Sequence, residues 1–343
     1  MYIENKVFKK YISYWLASMF WIVSIMIVVG GLTRLTDSGL SITEWELFSG
    51  FLPPLNETQW NVYFNLYKEI PEYKLQNYLI TLDEFKVIFW WEFSHRFLGR
   101  LIGIFFILPL IYFSIKLGFN KSKNLFIIFF LICLQGFVGW YMVSSGLIDR
   151  VDVSHYRLSL HLVLAFLILS LIFWNYLKNN EISRSEKKIN FSLPIIFILL
   201  IFFQISIGAF VSGMDAGKIY NSWPLMGTSY FPDDSSIVNF FSLNAFNDPS
   251  LVQFMHRNLA YLIFIFYLLI LFVVYKNNAS NFFKVIKIIG FILIIQIVLG
   301  ILTLLSGAQM LFSSMHQISS IFLVSSSVYL VYLNLSTNLQ LLD

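Results

Sequence analysis

Charge is what this sequence has least of. Only 12% of its 343 residues are Asp, Glu, Lys or Arg, about half the share a water-soluble domain carries. The net charge is only +4 and no basic patch stands out, which excludes a nucleic-acid binder. Cysteine is nearly absent. Cys133 stands alone in an apolar run, so an internal disulfide and a cysteine-based metal site are both excluded; it is expected to act as a small buried hydrophobe. What fills the space is apolar: 58% hydrophobic, 19% aromatic, with mean hydropathy +0.73. A disordered chain and a cytosolic enzyme are thereby excluded too, and a polytopic membrane protein remains.

Eight apolar segments are long enough to span a bilayer: about 11–32, 87–113, 125–145, 158–177, 191–212, 251–274, 285–305 and 314–335. The first follows Lys6, Lys9 and Lys10 but is too long for the apolar core of a signal peptide and has no small-residue cleavage pattern, so a retained helix is expected. Thirteen of the 23 Lys and Arg fall at the N-terminus or in alternate loops on the same side, six in the opposite loops. The positive-inside rule then puts both termini in the cytoplasm and the long loops 34–86 and 213–250 outside. Trp60, Tyr63, Phe64 and Tyr67, following Asn56, make the i, i+3, i+4, i+7 stripe of an amphipathic helix lying on the membrane surface. Thr81 and Glu84 have capping-box spacing.

The chain repeats itself. Gly30, Asp37, Gly39 and Trp45 return 178 residues later as Gly208, Asp215, Gly217 and Trp223. Phe93, His95, Arg96, Gln135 and Gly139 return 161 residues later as Phe254, His256, Arg257, Gln296 and Gly300. The expected architecture is therefore an all-α polytopic membrane protein of eight transmembrane helices, arranged as two parallel-repeat four-helix bundles. The N-terminal half is 1–187 with the long outer loop 34–86, and the C-terminal half is 188–343. Four helices per half give both halves the same orientation, unlike an inverted repeat.

Histidines follow the same rhythm. His95, His161, His256 and His316 fall on the second and fourth span of each half, near the outer end. Two facing imidazoles at one depth in a four-helix bundle suit a porphyrin with both axial positions filled; zinc wants three or four converging ligands. His155 is a rival to His161, since the ungapped offset pairs it with His316. It stands at a polar helix start, and six residues rotate it about 240° from His161, so His161 is preferred.

After sorting by side, five charges remain within the spans: Arg96, Arg100, Arg157, Arg257 and Glu92. Intramembrane charges need a partner or a purpose. The arginines either snorkel to the outer interface or pair with haem propionates, for which the guanidinium fork is suited; Arg96 and Arg257 directly follow a ligand candidate. Glu92, at i−3 from His95, shares its helix face, whereas its counterpart is Gln253. Either Glu92 forms an ion pair with Arg96 or Arg100, or one site has an acid–base group where the other only carries electrons.

Longer strings carry a resemblance. Gly31-Leu-Thr-Arg-Leu-Thr-Asp-Ser-Gly-Leu-Ser, Trp90-Trp-Glu-Phe-Ser-His-Arg-Phe-Leu-Gly-Arg100 and Tyr156-Arg-Leu-Ser-Leu-His161 resemble the haem A synthase family. So do Asp215-Ala-Gly-Lys-Ile-Tyr-Asn-Ser-Trp-Pro-Leu-Met226, Gln253-Phe-Met-His-Arg257 and Met315-His-Gln317, over nearly the whole chain. The resemblance is to the alphaproteobacterial and mitochondrial type, without the loop cysteine pair of some bacterial members. It implies oxidation of the C8 methyl of haem O to a formyl group, by two hydroxylations and a dehydration, giving haem A for cytochrome c oxidase. Water is the oxygen source the resemblance implies. His95 and His161 would hold haem O, with Glu92 beside them; His256 and His316 would hold haem b as cofactor. The alternatives are a di-haem b-type electron-transfer protein and a haem carrier. The implied partners are a haem O synthase, an electron acceptor, membrane lipid and a second copy in a homo-oligomer, with no nucleic acid. The implied location is a bacterial inner membrane, or the mitochondrial inner membrane in a eukaryote.

Overall fold

The computed structural model describes residues 6–45, 49–185 and 187–335; Glu4, Glu46, Glu186 and Asp343, whose charges were assigned to a side above, lie outside them. The described residues form eleven α-helices: α1 (Lys6–Leu35), α2 (Glu57–Tyr67), α3 (Pro71–Leu75), α4 (Leu82–Leu117), α5 (Phe119–Asp149), α6 (His155–Asn179), α7 (Ser192–Gly213), α8 (Ile237–Phe240), α9 (Pro249–Lys276), α10 (Phe283–Leu305) and α11 (Met310–Asn334). Eight of these are long and apolar enough to cross a membrane, at the eight expected segments. The protein is an all-α polytopic membrane protein. In lipid every backbone N–H and C=O must be satisfied within its own segment, which leaves a sequence this apolar little choice but helix.

Local signals set several helix starts. The Thr81 side chain accepts from the Glu84 N–H while the Glu84 carboxylate accepts from the Thr81 N–H, a complete capping box at the start of α4. Asn56 caps α2. Asp248 caps α9, with Pro249 at its first position. Only Gly118, at φ +88°, separates α4 from α5; a side chain there would be strained.

The chain divides into two compact units. One is Trp21–Ala165, with α4 packed on α5. At 36 residues α4 is about 54 Å long, well beyond the ~30 Å hydrocarbon thickness, so it reaches out of the bilayer. Onto its outer end packs α2. Trp60 and Tyr63 lie edge-on to Phe89, with ring centres 4.9 and 5.4 Å apart. Phe64 and Tyr67 pack on Phe85, each at 5.1 Å. The aromatic stripe of α2 thus faces α4, where a lipid surface was expected, because the protruding end of α4 offers an apolar face of its own.

Beneath this cap Glu72 of α3 is 3% exposed. Its Oε1 accepts from Asn77 Nδ2 at 3.2 Å, and the Tyr67 hydroxyl hydrogen-bonds to the carboxyl. Burial, then the charges of Glu92, Asp152 and Asp37, push the Glu72 carboxyl up to about 8. The Tyr67 hydroxyl is pushed up as well, by burial first and then by Glu72.

The other unit holds the described residues up to Phe20 and those from Phe166 onward. Within it α10 packs on α11 and α7 on both α9 and α11. Asn179 Nδ2 donates to Lys9 O and Ser13 Oγ, at 2.9 and 2.7 Å, and Lys9 pairs with Glu181 at 2.7 Å. Cys133 differs from expectation: it is exposed on α5. An outward-facing thiol on a membrane span still has apolar surroundings, so an apolar neighbourhood in sequence does not imply the protein interior.

Candidate functional site

Each of the four proposed histidines lies on a helix that runs beside a glycine-bearing neighbour. A Cβ built on Gly30 of α1 would stand 2.8 Å from His95 Cε1, and one on Gly139 of α5 2.9 Å from His161 Cε1. The same holds for Gly208 of α7 under His256, at 3.0 Å, and Gly300 of α10 under His316, at 3.2 Å. Real side-chain contacts are rarely so short, so each imidazole occupies space that only glycine leaves. The glycines stood in the repeat, but nothing in sequence tied them to the histidines.

A second feature escaped the sequence reading. Four residues before three of these glycines stands a glutamine whose Nε2 donates to the backbone carbonyl of the facing histidine. Gln135 reaches His161 O at 3.0 Å, Gln204 reaches His256 O at 3.0 Å, and Gln296 reaches His316 O at 3.1 Å. The signal that would have found them is the spacing Gln-x-x-x-Gly, which occurs three times. Before Gly30 the same position holds Met26.

The rings pair. His95 and His161 have ring centres 6.3 Å apart, with planes at 55°; His256 and His316 are 6.5 Å apart, at 77°. His155 begins α6 with its ring 4.3 Å from that of Tyr156 and is not part of the pair. Two imidazoles on opposite faces of one metal ion, with metal–nitrogen bonds of about 2 Å, would put their ring centres roughly 6 Å apart. All four rings also keep a buried Nδ1 without a hydrogen-bond partner, an arrangement that costs about 1–3 kcal/mol per group if nothing else engages the ring. Among the described residues no group of three or more His, Cys, Asp or Glu converges as a metal cage. Two-ligand sets of this kind suit an iron whose other four positions a porphyrin supplies. The residues present fit a haem in each pair.

Beside each pair an arginine holds the outer loop. Arg96 Nη2 donates to Ile42 O at 2.7 Å and Nη1 to Glu44 O at 3.0 Å. Arg257 makes the same two bonds 178 residues on: Nη2 to Tyr220 O and Nη1 to Ser222 O, both at 2.9 Å. What differs is the partner one turn earlier. Glu92, 3% exposed, takes Arg96 Nη2 at 2.6 Å and Nε at 3.0 Å on Oε1. On Oε2 it takes Ser41 Oγ and the Ile42 N–H, at 2.7 and 2.8 Å. Of the two readings open for Glu92, the ion pair with Arg96 is present. Gln253 instead accepts from Arg257 Nη2 at 3.1 Å and donates to Ala216 O at 2.8 Å, and the buried Arg257 Nε has no partner. A charged clamp thus stands beside His95, and a neutral one with a spare donor beside His256. Arg100 lies 5.4 Å over the Phe51 ring. Arg157 lies 4.5 Å over Tyr141 and donates to Ser145 Oγ.

The profile of a family described as cytochrome oxidase assembly protein (COX15-CtaA) matches residues 13–328. This chain belongs to that family. Among similar relatives is a protein of Pelagibacter ubique (strain HTCC1062) named Heme A synthase, 50% identical over 337 residues, which are 97% of this chain and 99% of the relative. Proteins of the same name from Rickettsia bellii (strain OSU 85-389) and Rickettsia africae (strain ESF-5) are 44% and 40% identical. They align over 94% and 95% of this chain and 97% and 98% of their own lengths. Both histidine pairs, both arginine clamps and all four glycines of this cytochrome oxidase assembly family member lie inside the matched region.

Proposed function

We propose that this chain is a haem A synthase, a membrane oxidoreductase that converts the C8 methyl of haem O to a formyl group. The observation that carries the reading is the doubled imidazole pair, in a chain 50% identical over nearly its full length to a protein named Heme A synthase.

His95 and His161 hold the substrate haem O, and His256 and His316 hold a haem b cofactor. When bound, haem b supplies a one-electron carrier next to a reaction that must export electrons. Methyl to aldehyde is a four-electron oxidation; with water as oxygen source, R–CH3 and H2O give R–CHO, four protons and four electrons. The residues supply position and charge. Glycines 30 and 139 seat the two rings, so haem O is gripped at a fixed height. Arg96 and Glu92 fasten the Ser41–Glu44 segment over that end of the bundle. Glu92 keeps a carboxylate on the His95 face, where protons leave the substrate; Gln253 marks the site without that need. Arg257 Nε is a free donor suited to a propionate.

We place the chain in a bacterial inner membrane with both termini cytoplasmic and the clamped loops outside, from the distribution of Lys and Arg. Its partners are a haem O synthase that delivers the substrate, an electron acceptor and membrane lipid; a second copy in a homo-oligomer is part of the same proposal. Co-expression with a haem O synthase, followed by haem extraction and mass analysis, tests the reading. Haem A is expected from the unaltered chain. Glu92→Gln is expected to retain bound haem O while haem A falls at least tenfold. Haem O left unchanged by the unaltered chain would make it a carrier or an electron-transfer protein instead.

A further inference from the structure

Three of the four histidine carbonyls are tied to a neighbouring helix by a glutamine, and the fourth position, at His95, holds Met26. A thioether is no hydrogen-bond donor, so Met26 cannot make the bond that Gln204 makes in the other half. Gln204 goes further: its Nε2 also lies 3.3 Å from His256 Nε2. The surroundings of Met26 differ in step. Its Cε lies 3.5 Å from where a Gly99 Cβ would stand, and the residue 161 positions after Gly99 is Ala260. Met26 with Gly99 thus replaces Gln204 with Ala260. Between α1 and α4 a hydrogen bond stands one turn further out: Thr33 Oγ1 donates to Trp91 O at 3.3 Å. In the second half the Thr33 position is Val211, which has no hydroxyl. The first half therefore fixes α4 one turn from its ligand, and the second fixes α9 at the ligand itself.

We propose that Met26 makes His95 the releasable ligand of the four, so that the first site exchanges its haem while the second keeps its own. This rests on the reading that His95 and His161 hold the substrate. A substrate and its product must pass through the site at every turnover, and a cofactor must not. Gln135 holds His161 in place during the exchange, leaving the His95 side of the site as the one that opens.

The test measures haem loss, with no turnover required. The full chain, carrying haem O and haem b in phosphatidylcholine nanodiscs, is mixed with excess apomyoglobin as haem acceptor. The haem left on the chain is then extracted and identified over time. The unaltered chain should lose haem O faster than haem b. Met26→Gln, alone or with Gly99→Ala, should slow haem O loss about three- to tenfold, the factor one interhelical hydrogen bond is worth, and leave haem b loss unchanged. Gln204→Met should speed haem b loss by a similar factor. A slowed loss is not what a misfolded variant gives, so the first substitution guards the second. Loss rates unmoved in every variant, with both haems bound, would overturn the proposal. Slowed loss of haem b in Met26→Gln would instead overturn the assignment of haem O to the first site.

Discussion

At the scale of single residues the site depends on atoms that are missing as much as on atoms that are present. Each imidazole sits where a methyl group would stand, and the distances grade the sites: 2.8 Å over Gly30 against 3.2 Å over Gly300. Gly30→Ala should therefore displace its ring more than Gly300→Ala. Titration with the matching haem should show affinity falling on the order of tenfold or more at Gly30 and by less at Gly300, the range expected when overpacking costs about 1–3 kcal/mol. The histidines were legible in sequence because a charge-poor chain makes polar residues conspicuous. The glycines were less so, since a small residue has no chemistry until its neighbour is known. Glu72 gives a residue-scale prediction about pH. Its carboxyl rises from the usual 4.5 to about 8 in the fold, so between those values the folded chain binds the proton more tightly than the unfolded one. Stability from this group is greatest below pH 4.5 and is lost as pH rises to about 8. Glu72→Gln should flatten the fall of Tm between pH 5 and 8; equal slopes would mean that Glu72 titrates normally.

At the scale of elements, what the sequence announced was what local chemistry decides. The Asn56 cap with its aromatic stripe gave α2, and Thr81 with Glu84 gave the start of α4. Thr81→Ala should destabilise the first turn of α4 by about 1 kcal/mol, seen as faster amide hydrogen exchange over residues 82–86 with haem content unchanged. The face on which α2 packs was not legible, because an aromatic stripe suits a lipid surface and a helix end equally well. Cys133 makes the same point: a span that is apolar all round does not reveal which side meets lipid. Interhelical ties such as Gln204 to His256 O were hidden for a related reason. They belong to two segments 52 residues apart, and the sequence gives each segment only its own periodicity.

At the scale of the whole molecule, the repeat is the organising fact, and the places where it fails carry the function. Arg96 and Arg257 hold corresponding carbonyls of their loops, so the scaffolds of the two sites match. Glu92 against Gln253, and Met26 against Gln204, are where they part. An electron carrier with two equivalent haems has no use for either difference; an enzyme with one haem as substrate and one as cofactor needs both. The most direct test of this division is the haem content of chains purified after co-expression with a haem O synthase. His95→Ala and His161→Ala should lose haem O and haem A and retain about one haem b per chain. His256→Ala and His316→Ala should lose haem b and accumulate unconverted haem O. Loss of haem b from the His95→Ala and His161→Ala chains, with haem A still formed, would contradict the account.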